Sequence, residues 1–247
     1  MFLQETPQRN VCSSRALIKM TEDSSPLVKT ILTKGGLTKD VTDKTFGVLQ
    51  DLKKVLQVVE SDLRKQVVGE DPRIKIQDRD RGTFEAEIKV GEDLLIFIMH
   101  TNAFVFEPAH PVWKTGYVSL DPSRGTVGMI SIYNFLSDSF KFDRRNDIGH
   151  LVARMFVNRE GNFFAEGKRQ LGVLFNDYAS MQANETQLRL LIESAIAFSL
   201  DIDVNVPPFD AMKEITVYEA MVNTMQSTIT TGKRLGFKFE KENDIEG

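Results

Sequence analysis

Between Val41 and Val68 the apolar residues Leu49, Leu52, Leu56, Val59 and Leu63 recur at alternating intervals of three and four. Lys53, Lys54, Glu60, Asp62, Arg64 and Lys65 occupy positions between them. This period predicts an amphipathic helix over 41–68, because side chains three and four apart share one face. Asp40 or Thr42 is the expected cap, offering an oxygen to the free amides of the first turn, and Gly69 the expected end. The seam has two readings: the contact of a helical dimer, or a stripe resting on the chain's own core. Upstream, Leu27, Val28, Ile31 and Leu32 form a short apolar patch, and Gly35-Gly36 is expected to break any helix there. Residues 1–25 are polar and aperiodic and are expected to form a flexible tail.

After Gly69 the period shortens to two. Arg73 to Asp78 alternates around Ile74 and Ile76. From Thr83 to Val90, Phe84, Ala86, Ile88 and Val90 alternate with Thr83, Glu85, Glu87 and Lys89, which predicts a strand with one buried and one wet face. Gly91-Glu92-Asp93 makes a tight connection to Leu94–His100, apolar on both faces and therefore central. Short connections imply antiparallel pairing. Ala103 to Glu107, Gly116 to Leu120 and Thr126 to Tyr133 are expected as further strands, and the loop Pro108 to Gly125 carries the single tryptophan, Trp113.

Helical spacing is read again from Asp147 to Asn158, through Ile148, Leu151, Val152 and Met155. It recurs from Asn184 to Leu200, through Leu188, Leu191, Ile192, Ala195 and Ile196, with Asn184 and Gln187 in capping-box positions. Pro207-Pro208 opens a further expected helix to Met225, and Leu235 to Phe239 reads as an edge strand. The sum is a single α+β domain over 26–240. It comprises an N-terminal helix, an antiparallel meander of five to six strands within 73–134, and a helical region, 146–226, packed on one face. A helix leading into an antiparallel sheet resembles small-molecule sensor folds of the GAF and PAS kind, which implies ligand binding.

Composition narrows the classes of function. The 17 Phe and 41% hydrophobic residues suffice for a sizeable core. A net charge of -4 argues against nucleic acid as the main partner. The one cysteine, Cys12, allows neither a disulfide framework nor a thiolate zinc site. The longest strongly apolar run, Leu94 to Met99, is far short of the ~20 residues of a membrane helix, and no signal-peptide block precedes Met20. A cytoplasmic protein with no membrane segment is expected.

Three constellations are candidates for function. Arg144 and Arg145 precede the expected helix at 147, whose free amides and dipole favour an anion. Asp147, His150 and Arg154 would follow on one face of that helix, and Trp113 would offer an aromatic contact, so a small anionic ligand is the expected occupant. His100, Glu107 and His110, with Asp121 as a fourth group, supply the donor types of a hydrolytic metal site without its usual helical spacing. The stretch Glu185 to Glu219 has seven acids and two bases and would suit a basic partner. Nucleotide-binding and hydrolase signatures are absent, and no cofactor is legible. The expected function is therefore a non-enzymatic regulatory or ligand- or partner-binding module, with a homodimer as one of the two readings of the 49–63 seam. A metal-dependent hydrolase and an acidic interaction protein are the alternatives.

Overall fold

The computed structural model describes residues 25–204 and Thr216. The expected tail, Cys12, the helix from Pro207 and the strand at Leu235 lie outside the described residues. Helix α1 spans Pro26–Glu70, fifteen residues earlier than the Val41 start read from the sequence. Ser25 caps it, its hydroxyl accepting from the Val28 amide, and Pro26 occupies the first turn, where no amide partner is lost. Gly35-Gly36 does not interrupt it. Nothing lies within 4 Å of where their β-carbons would be. Extending a formed helix adds one hydrogen bond per residue fixed, so a glycine cost of about 1 kcal/mol each is absorbed.

The seven-stranded antiparallel sheet follows β1 (Ile76–Gly82), β2 (Glu85–Val90), β3 (Asp93–Met99), β5 (Thr126–Leu136), β6 (His150–Asn158) and β7 (Phe163–Gly167), in that order. The two-residue strand β4 (Phe104–Val105) pairs with the start of β5. The expected α+β class and meander stand. β3 is central and apolar on both faces, as its composition requires. Gly91 takes φ 61° in the β2–β3 turn, a conformation glycine adopts without a β-carbon penalty.

Two expected elements are corrected. Residues 150–158 form a strand, not part of a helix. A bulge sets Leu151 opposite Tyr133 and Ala153 opposite Ile132, leaving Val152 between them. The extra residue breaks the alternation of two, so Leu151, Val152 and Met155 imitate helical spacing. Gly116–Leu120 is a short helix, α2, because the Thr115 hydroxyl accepts from the Val118 amide and caps a turn. Short helices α3 (Ser137–Lys141) and α4 (Leu171–Leu174) follow β5 and β7.

Helix α5 (Glu185–Leu200) matches its expected bounds, with the Asn184 side chain accepting from the Gln187 amide at 3.0 Å. It lies beside α1 on the same face of the sheet, and Arg189 reaches Asp62 of α1 at 2.9 Å. Leu49, Leu52, Leu56 and Val59 are buried in this main core with Leu95, Phe97, Ile132, Met155 and Leu191, and Leu63 packs at its edge. The 49–63 seam thus rests on the chain's own sheet and is not a free dimer contact. No helix among the described residues is long and apolar enough to cross a membrane.

Candidate functional site

Among the described residues both long helices lie on one face of the sheet, and on the opposite face other segments lie over its two ends. At one end the segment 104–125 folds over it. Val112, Val118, Val127, Phe156, Phe164 and Tyr178 form a second buried cluster there, with Phe106 and Trp113 packed against it. Trp113 donates from its indole nitrogen to the Glu107 carbonyl at 2.9 Å. Its ring lies over Gly125, where a β-carbon would come within 2.3 Å. Trp113 therefore closes the cluster and does not stand free as a recognition group. At the other end Phe140 of α3 meets Phe135 edge-on at 5.3 Å, with the Arg81 guanidinium 5.1 Å from its ring centre.

Between these covers run two cross-strand rows in which Arg154 and Leu151 are exposed, Glu85, Ile98, Tyr133 and Glu166 half-buried, and Glu87, Ile96 and Ser131 buried. One runs Glu85, Ile98, Ser131, Arg154, Glu166, and the next runs Glu87, Ile96, Tyr133, Leu151. Residues directly opposite in a sheet point to the same side, so these rows floor one surface. Leu151 is 39% exposed on it. Arg154 pairs with Glu166, whose other oxygen is 3.3 Å from His110 Nε2. The His110 ring stacks on Phe106 at 4.4 Å. Arg154 and His110, taken from different constellations in the sequence, are thus joined through Glu166, which sequence reasoning did not single out.

The remaining candidates do not converge. Arg145 pairs with Asp143, and Arg144 with Asp147 at 3.0 Å. Neither stands before a helix, because the next element is β6, so no helix terminus offers its amides to an anion there. Asp147, His150 and Arg154 do not share a helix face. Asp147 lies in the loop before β6 and accepts from Ser139, and His150 is buried opposite Asn134. His100, Glu107 and His110 hold separate places. His100 Nδ1 accepts from the Asn102 amide, and His110 Nδ1 accepts from the Val112 amide. Asp121 caps Ser123 and pairs with Arg159 at 3.0 Å. Among the described residues no three His, Cys, Asp or Glu side chains come together as a metal site.

A polar bracket that the sequence did not disclose fixes segment 104–125 to the β6–β7 turn. Tyr117 donates to Glu160 at 2.6 Å and accepts from Asn158 at 2.9 Å. Arg124 binds Glu160 at 3.1 Å, lies 4.2 Å over the Tyr117 ring, and gives its carbonyl to the Tyr178 hydroxyl. The Tyr117 hydrogen bond holds the Glu160 carboxyl below its usual range, helped by Arg124. Burial pushes both Tyr117 and Tyr178 up. The buried Asn158 organises the turn, accepting from the Glu160 and Asn162 amides, and Gly161 takes φ 83°. Asn158 to Asn162 between two apolar runs is a hairpin signal that the helical reading of 147–158 concealed.

On the other side of the hairpin turn a groove of about 820 Å³ separates it from α1. Asp40, Asp43, Asp51 and Glu160 line it, with Lys44 and Arg159.

No protein-family model, curated protein or solved structure matches the chain, sensor folds included.

Proposed function

We propose that the chain is a non-catalytic partner-binding module whose recognition surface is the face of the sheet opposite α1 and α5, between Trp113 and α3. The observation that carries this reading is the exposure of Leu151 and Arg154 on adjacent rows of that face, with half-buried Ile98 and Tyr133 beside them. An apolar floor with a few fixed charges is the usual composition of a contact surface. A protein segment fits it better than a small anion, because Arg144, Arg145 and Arg154 each face a carboxylate of the chain that an anion would have to displace.

A photo-crosslinking residue at Leu151 tests the reading in cells, with the same residue at Val173, exposed on α4, as control. A discrete adduct at Leu151 that Arg154→Glu removes is the expected result. Adducts equal at both positions would sink the proposal. The anionic-ligand reading predicts a rise in melting temperature with millimolar phosphate or nucleotide; we expect none.

A further inference from the structure

The first fifteen residues of α1, Pro26 to Asp40, contain no buried residue, and the first is Val41. This arm carries Leu27, Val28, Ile31 and Leu32 at 68, 42, 59 and 67% exposure. At about 100° per residue the four fall within one arc of roughly 140°. Lys34 lies about 20° beyond one edge of that arc and Lys29 about 60° beyond the other, while Lys39, within it, pairs with Asp43 at 2.7 Å on the exposed surface. From Pro26 to Lys39 there is no carboxylate. An apolar stripe bordered by lysines on both sides is the arrangement in which alkyl stems lie along a hydrocarbon boundary while the ammonium groups reach phosphate. The acidic residues of the neighbouring groove, Asp40, Asp43 and Asp51, are centred about 135° from the middle of the stripe on the same helix, about three to six turns further along it. Gly35 and Gly36, open on all sides, sit where the arm leaves the body.

We infer that the arm Pro26–Lys39 docks on an anionic lipid surface, its apolar stripe seated at the acyl boundary and its lysines on the headgroups. Charge complementarity selects this occupant. A second copy seated stripe on stripe would set the lysines of one arm against those of the other, since neither carries a carboxylate from Pro26 to Lys39. The contact lies in the plane of the surface and spans nothing. Four apolar side chains and three lysines make it reversible and dependent on salt.

Co-sedimentation of the full chain with phosphatidylcholine vesicles, with and without about one third phosphatidylserine, tests this. Binding is expected to the anionic vesicles alone, falling several-fold as salt is raised through the range where the Debye length drops below ~10 Å. Ile31→Asp with Leu32→Asp, and separately Lys29→Glu with Lys34→Glu, are each expected to lower the bound fraction about tenfold with an unchanged melting curve. No sedimentation of the wild-type chain overturns the inference, as does binding that the apolar double variant retains. A shift of the wild-type chain from dimer to monomer on Ile31→Asp, without vesicle binding, would assign the arm to a second copy and overturn it equally.

Discussion

At Gly128 of β5 a β-carbon would stand 2.1 Å from the hydroxyl of Thr45, a fully buried residue of α1 that donates to the Val41 carbonyl. The helix and the strand approach each other there only because one of them lacks a side chain. Gly128→Ala is expected to cost about 1–3 kcal/mol in urea denaturation, and Thr45→Ala in the same chain to restore part of the loss, since it removes the hydroxyl and methyl but leaves the Thr45 β-carbon position 2.7 Å away. If the double variant is no better than the single one, the closeness of this contact is not what limits the site. Glu160 is a second residue with a measurable signature. Its folded pKa lies below the ordinary 4.5, so its ionised form favours the folded state. That contribution is complete above the ordinary value and disappears as pH falls through the lower, folded one. Glu160→Gln is therefore expected to shrink the difference in urea midpoint between about pH 6 and about pH 3, and to matter little across the alkaline range. The carboxylate is a third exposed, so the effect is modest.

At the level of elements, α5 was legible because its cap and its stripe are both local signals. Asn184, Gln187 and five apolar residues lie within thirteen positions and need no partner to be recognised. α1 was legible in its buried half and misread in its arm, since Gly35-Gly36 breaks a helix only when no formed turn adjoins it. β6 was misread because the bulge at Val152 is set by pairing with β5, which is not written in the strand itself. The site was least legible for the same reason on a longer scale. His110 and Glu166 are 56 positions apart, and only the meander brings them together. The two halves of α1 differ in what a substitution should do. Leu52 is buried against the sheet, and Leu52→Ala is expected to cost about 2–5 kcal/mol. Leu32→Ala, in the arm, is expected to leave the unfolding midpoint within error. Equal losses would mean that the arm is part of the folded body.

At the scale of the described molecule, one face of the sheet carries the main core and the other carries the aromatic cluster around Trp113 beside a strip on which Leu151 and Arg154 are exposed. This asymmetry makes a binding role reasonable without any catalytic group, and it gives the single tryptophan a use as a reporter. Binding of a partner on the strip is expected to change the emission of Trp113 by altering the aromatic cluster against which it packs. A partner that crosslinks at Leu151 and leaves the emission untouched would bind away from the aromatic cover. The bulge between β5 and β6 also acts on how the sheet is assembled. With Val152 unpaired, moving β6 by one position along β5 would carry Arg154 under the helices and turn Met155, which has no exposed surface, toward water. The neighbouring alignments are thus penalised twice, once in charge and once in apolar area. The central hairpin has one reading frame, and strands added later inherit it.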